Sequence, residues 1–208
     1  MAIRSLNQEF EKLAFNFKKN TDQHIRELQE KGTAKGLKVG SIAKDFVLKD
    51  TLGKDISLYE ELVRGPVILT FYRGSWCPFC NRQLKAYQEI LPKIQSIGAQ
   101  LIAISPQVPD HSLSMEEKEG LSFKIVSDPK GIVAAKYNVL YEVPEYIKEL
   151  YLQANIDLKE YNGTDHWILP VPATFMIDES GIVRFAHSDP DYTKRLEPAD
   201  LIWGLQSL

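Results

Sequence analysis

Cysteine is scarce in this chain: two in 208 residues, both inside one stretch, "FYRGSWCPFCNRQ", residues 71–83. A secreted domain stapled by disulfides spreads several cysteines along its length. A lone adjacent pair excludes that architecture and points to redox or metal chemistry in a reducing compartment, with the cytoplasm as the expected location. Histidine is equally sparse. The residues at 24, 111, 166 and 187 stand singly without partner spacing, so a zinc site lacks its other two ligands. Basic clusters are missing too: 25 Lys and Arg face 28 Asp and Glu, and the lysines are dispersed, which leaves no footprint for nucleic acid. No apolar run approaches the roughly 20 residues of a membrane span. The first twenty residues mix acids and bases without an apolar h-region, so they do not read as a secretory signal. Internal repeats and low-complexity tracts are also absent.

What is present is enough apolar residue, 44% of the chain, for one substantial core. Leu6, Phe10, Leu13 and Phe17, then Ile25 and Leu28, recur at helical spacing, giving two amphipathic helices broken near Asn20. This helical arm, residues 1–35, either packs on its own domain or makes a homodimer contact. "KGTAKGLKVGS", with glycines at 32, 36 and 40, reads as a loop that separates the arm from a domain over 36–208. In that domain "FVLKD", the turn "TLGKD" and "SLYEELV" predict a strand, a hairpin turn and a helix capped by Ser57. "GPVILTFYR" has no polar alternation, as expected of a strand buried on both faces of a largely parallel sheet. Helix (Pro78 to about Gly98), strand ("AQLIAISP"), helix ("HSLSMEEKEG"), strand ("FKIVSD") and a further helix start ("PKGIVAAKY") then alternate. That alternation predicts an α/β fold with crossover connections. The pattern loosens at about 138–170 into an insertion, read as one helix and a long loop. "ATFMID", "ESG" and "IVRFAH" form a hairpin, and a last helix follows "EPAD".

The two thiols sit where a buried strand ends and a helix begins. At least one sulfur therefore meets unpaired N–H groups and the positive end of the helix dipole, which lowers a thiol pKa. The i, i+3 spacing puts Cys77 and Cys80 on one helical face, so one can attack and the other resolve. Pro78 suits the first helical turn, where no donor is needed. A structural disulfide across so short a loop would contribute only about 2 kcal/mol on the chain-entropy model. Two inert buried thiols remain a further alternative, at odds with the strand-to-helix position.

With these motifs in place, the chain resembles the peroxiredoxin-like branch of the alkyl hydroperoxide reductase and thiol-specific antioxidant (AhpC/TSA) family, within the thioredoxin-fold superfamily. The resemblance covers about residues 40–208. It rests on "GSIAKDFVLKDTLGKDISL", "ILTFYRGSWCPFC", "LIAISPQ" and "PATFMIDESGIVRFAHSDPDY". It implies a thioredoxin-like α/β fold: a central mixed β-sheet flanked by helices, with the N-terminal helical extension added. It implies an antioxidant enzyme that reduces hydrogen peroxide or organic hydroperoxides through a Cys77/Cys80 pair, is regenerated by thioredoxin or a similar dithiol, and needs no cofactor or metal.

Typical peroxiredoxins carry Pro, then Thr or Ser four positions on, then the peroxidatic Cys three later, with an Arg from a distant strand. That register puts Arg73 in the proline slot, Cys77 in the Thr slot and Cys80 in the peroxidatic slot, with Pro172 where the distant Arg would be. In the thioredoxin register "WCPFC" makes Cys77 the attacking thiol and Cys80 the resolver, and the enzyme a protein disulfide reductase. That register also implies a cis Val171–Pro172 bond facing the motif. Trp76, Pro78, Phe79 and Pro172 would line a substrate groove. Arg73 either stabilises a thiolate and polarises a peroxide oxygen or simply reaches solvent. "HSDPDYTKR" offers Asp189, Asp191, Tyr192 and Arg195, which spacing does not bring to the cysteines and which read as a solvated loop. A reading of another class is a non-catalytic interaction protein whose cysteine pair senses redox state.

Overall fold

The computed structural model describes residues 20–207; the first helix read in the arm lies outside them. Helix α1 occupies residues 20–31. After it come β1 (Val47–Asp50), β2 (Asp55–Ser57), α2 (Leu58–Leu62), β3 (Val67–Phe71), α3 (Pro78–Ser96), β4 (Gln100–Ser105), α4 (Pro109–Glu119), β5 (Lys124–Ser127) and α5 (Ile132–Lys136). The insertion adds β6 (Leu140–Glu142), α6 (Glu145–Gln153), α7 (Leu158–Asn162) and β7 (Ile168–Pro170). The chain closes with β8 (Ala173–Ile177), β9 (Val183–Ser188) and α8 (Pro198–Leu205). The α/β class and the mixed central sheet expected from the sequence are what the structure has.

Seven strands form the main sheet in the order β2-β1-β5-β4-β3-β8-β9. β4 lies between β3 and β5, parallel to both, while β1, β8 and β9 join antiparallel. Burial on both faces explains why "VILTF" lacks alternation. Val67, Leu69 and Phe71 enter one core layer and Ile68 the other, as side chains of a strand alternate. The first layer packs under α2 and α5 through Leu58, Leu62, Val133 and Ala134. The second packs under α3 and α8 through Leu84, Tyr87, Leu91, Leu201 and Leu205. Ser57 caps α2 as expected, its Oγ accepting from the Glu60 N–H at 3.4 Å.

The insertion differs from its reading as one helix and a long loop. It holds two helices and a small antiparallel β6–β7 sheet, because Tyr141, Ile147, Leu150, Tyr151, Leu158 and Leu169 supply a third core of their own. Elements of three to five residues are too short to show a period, which hid them. The glycine loop is no free linker either. Gly36 N–H donates to Asn138 at 2.8 Å, Gly40 N–H to Val183 at 2.8 Å and Ala43 N–H to Gly181 at 2.8 Å. Leu28 of α1 and Ala34 belong to the insertion's core, so α1 spends its buried face on its own chain.

The cis Val171–Pro172 bond is a correction: no peptide among the described residues is cis. Val171 N–H donates to Val139 at 2.7 Å and Ala173 opens β8 in register with Phe71, so β7 runs directly into β8 through a trans junction.

Asp128, 4% exposed after β5, accepts the Ala134 N–H at 2.9 Å. Burial, only partly offset by backbone donors of α5, raises its carboxyl to about 6. The raised native value means the native state holds the proton more tightly than the unfolded chain. Stability from this group is therefore gained as pH falls from about 6 toward the unfolded value of 3.8 and is lost above it, on the order of 3 kcal/mol at about 1.36 kcal/mol per pKa unit. Asp128→Asn should flatten the urea-unfolding free energy between pH 4 and 7 relative to the parent chain. An unchanged pH slope would contradict it.

Candidate active site

β3 delivers Tyr72, whose N–H donates to the Ile104 carbonyl at 3.0 Å, and the chain then leaves the sheet through Arg73–Gly74–Ser75–Trp76 into α3. The turn needs glycine: Gly74 has φ +148°, and a Cβ there would sit 2.5 Å from the Trp76 indole nitrogen. Gln107, from the loop after β4, pins the turn by accepting the Ser75 N–H at 2.6 Å and the Ser75 hydroxyl at 2.7 Å. Asn81 Nδ2 donates to the Ser75 carbonyl at 2.7 Å from the α3 side.

Cys77 is the N-cap of α3, Pro78 follows it at N1, and Cys80 lies in the first turn. Both thiols are free and fully buried. Arg73 is 5% exposed rather than reaching solvent. Its Nη2 lies 3.0 Å from Cys77 Sγ, its Nη1 donates to the Tyr151 hydroxyl at 3.2 Å, and its own backbone N–H points at Cys80 Sγ at 3.4 Å. The guanidinium carbon stacks 4.0 Å from the Tyr192 ring centroid and 5.2 Å from that of Trp76. Arg195 approaches from the segment before α8, with Nη2 3.5 Å from Cys80 Sγ, Nη1 2.5 Å from Gln83 Oε1 and Nε 2.7 Å from the Tyr192 carbonyl.

Two guanidiniums thus flank one pair of thiols. Among the described residues no carboxylate forms a salt bridge with either. Buried cations need an anion, and the sulfur is the one within reach. Burial pushes the Cys77 thiol up, and its hydrogen bond to Cys80 adds to that. At Cys80 burial also works against the thiolate, but the Cys77 hydrogen bond, then Arg195 and Arg73, outweigh it and hold the thiol well below its ordinary range. Arg73 makes its shortest sulfur contact with Cys77, yet Cys80 gathers more donors: a backbone N–H, a guanidinium and a thiol. The opposite directions of the two shifts favour the thiolate on Cys80 over one on Cys77.

Arg73, Cys77 and Cys80 therefore meet as expected. Trp76 is half-buried against Tyr151 at 5.3 Å and Phe79 against Tyr192 at 5.4 Å, both packed against the core layer that holds the two sulfurs. Pro78 is exposed, and Pro172 is buried on the Arg73 side. Tyr192 and Arg195, read as solvated loop, are site residues: the 189–195 segment folds back onto α3. Their signal was indirect. A chain without the distant strand arginine still needs a second cation for its thiolate, and no spacing rule points to one 115 positions from Cys80.

A two-thiol, two-arginine site at the strand-to-helix junction of this mixed sheet defines a thiol oxidoreductase of thioredoxin-like fold. The chain belongs to the AhpC/TSA family, whose family model matches residues 39–186. The thiol-disulfide oxidoreductase ResA of Geobacillus kaustophilus is 32% identical over 149 residues, 70% of this chain and 67% of that protein. Chloroplastic peroxiredoxin Q of Gentiana triflora is 31% identical over 100 residues, 48% of this chain and 46% of that one. Among solved structures, peroxidoxin BcpB from Mycobacterium tuberculosis superposes with a TM-score of 0.65 at 22% identity, covering 83% of this chain and 98% of that one, and shows the shared fold. The protein is a peroxiredoxin-like thiol oxidoreductase.

Proposed function

We propose that this enzyme is a thiol peroxidase in which Cys80 attacks and Cys77 resolves. The observation that carries the reading is the donor set on Cys80 Sγ: Arg73 N–H at 3.4 Å and Arg195 Nη2 at 3.5 Å, with the Cys77 thiol beside them. The thiolate attacks one peroxide oxygen, an S–O bond forms as the O–O bond breaks, and the leaving hydroxide or alkoxide takes a proton. Cys77 sulfur then attacks the Cys80 sulfenic sulfur, forming the disulfide and releasing water. An external dithiol of the thioredoxin type, in the reducing cytoplasm, restores both thiols. Reduced protein given equimolar hydrogen peroxide should lose two hydrogens by intact mass and regain them with thioredoxin, its reductase and NADPH. Oxidation no faster than that of free cysteine would remove the reading.

A second reading rests on Arg73 Nη2, 3.0 Å from Cys77 Sγ, and on the similarity to ResA: a disulfide reductase with Cys77 as nucleophile. Insulin reduction, and a mixed disulfide trapped on Cys77 in Cys80→Ser, would favour it.

A further inference from the structure

α1 buries Thr21, His24 and Leu28, spaced three and four apart, against β6, α6 and the 190–192 segment. Of that face only His24 is ionisable. Its ring centroid lies 5.2 Å from that of Tyr141 and 6.3 Å from that of Tyr146, it is 9% exposed, and neither nitrogen has a hydrogen-bond partner among the described residues. A neutral imidazole in this seat already forgoes a donor and an acceptor. The groups around it are Glu27 and Lys31 on α1 itself, Arg73 beyond β3, Tyr141 on β6, Tyr146 and Tyr151 on α6, and Tyr192. None offers an imidazolium a free anion. Lys31 and Arg73 are cations, burial keeps the hydroxyls of Tyr141, Tyr146 and Tyr151 protonated, and Glu27 already accepts from Gln23 Nε2 at 2.8 Å and from the Tyr146 hydroxyl at 2.7 Å. A proton on His24 would thus be an unpaired buried charge beside a second buried cation.

The attachment of α1 is able to give. Ala34, 1% exposed in the same core, has φ +56°, a left-handed conformation that alanine adopts only at a cost. From Gly36 onward the chain is tied to the domain, with the Gly36 N–H on Asn138 at 2.8 Å and the Gly40 N–H on Val183 at 2.8 Å. Residues 32–35 therefore form the joint about which α1 can leave while the sheet stays folded. We propose that α1 is an acid-released clamp: protonation of His24 expels the helix from the insertion's core and opens the Arg73 and Tyr192 side of the thiol site to water, whichever thiol attacks. Burial, first among the causes, lowers the His24 pKa; Glu27 opposes that, and Lys31 and Arg73 add to it. The seat is therefore at full strength above the ordinary histidine value of 6.5 and weakens as pH falls below it, by at most about tenfold per pH unit, because the released ring takes up a proton that the seated ring refuses.

The test is hydrogen exchange by mass spectrometry on the reduced full chain at pH 7.5 and 5.0, with exchange times corrected for the intrinsic amide rates. Amides of α1 in the parent should lose about tenfold in protection at pH 5.0, while those of β3 and β4 keep theirs. His24→Phe keeps a ring against Tyr141 but cannot be protonated, and His24→Leu serves as a second apolar variant; in both, α1 protection should change less than threefold between the two pH values, with thermal melts at pH 7.5 reporting folding. Glu27, held below the usual carboxylate range by its bonds to Gln23 and Tyr146, stays ionised at pH 5.0 and does not blur the reading. Unchanged α1 protection in the parent, or the same loss in the parent and both variants, would overturn the clamp, and neither result bears on which thiol attacks or on peroxide reduction.

Discussion

Cys80→Ser should consume hydrogen peroxide no faster than an ordinary thiol, a loss on the order of a thousandfold or more, because the attacking atom itself is removed. Cys77→Ser should behave differently. Its first oxidation should stay within about tenfold of the parent, since Arg73 and Arg195 still flank Cys80 and only the thiol donor is changed to a hydroxyl. Turnover with thioredoxin should fail, and a Cys80 sulfenic acid should accumulate, trappable by dimedone and prone to further oxidation because nothing condenses with it. The asymmetry follows from electrostatics. Burial costs both thiols, but the Cys77 S–H stabilises a thiolate on Cys80, and a charge there in turn holds the Cys77 proton in place. Stopped-flow traces with mass spectrometry of the dimedone adducts read both variants. A sulfenic acid that forms on Cys77 and not on Cys80 would exchange the roles and hand the site to the disulfide-reductase reading.

The sequence carried the sheet well and the cover of the site poorly, for identifiable reasons. β3, β4 and β8 are runs of apolar residues buried on both faces, and such runs advertise themselves without any partner. Cys77 and Cys80 were legible because a strand-to-helix junction is a local event, coded within "RGSWCPFC". The cover is assembled from afar. Tyr151 comes from α6, Tyr192 and Arg195 from the segment before α8, and His24 from α1, and no local period links them. "DYTKR" looks like solvent-facing loop because Asp191 and Thr193 do form a local turn there, with the Thr193 N–H donating to Asp191 Oδ1 at 3.1 Å. That turn is what aims Tyr192 and Arg195 inward. The trans Val171–Pro172 bond shows the reverse limit: the likeness to thioredoxins was local, whereas the hydrogen bond from Val171 to Val139 belongs to the insertion's own edge.

Arg73→Met is expected to slow the reaction of Cys80 with hydrogen peroxide by about a hundredfold, the scale seen when one preorganised donor is removed from a buried site. Three jobs end at once: the charge beside the thiol pair, the hydrogen bond to Tyr151 and the stack on Tyr192. With the cation gone, desolvation weighs more on the thiolate, so the pH midpoint for iodoacetamide alkylation of Cys80 should move upward. The fold should survive. Methionine keeps much of the buried volume, and the thiolate left without this cation can take up a proton, which avoids an uncompensated buried charge. Arg73→Lys should not restore the rate, because one ammonium cannot reach Tyr151 and Cys77 together while lying flat on Tyr192. Arg195→Met supplies the contrast. It removes the contact to Cys80 but leaves Arg73 against Cys77, so it should shift the Cys80 midpoint while sparing Tyr151 and the α6 side of the site. If Arg73→Met reacted as fast as the parent with an unmoved alkylation midpoint, the buried guanidinium would be a packing element, and the thiolate would rest on Arg195 and the start of α3 alone.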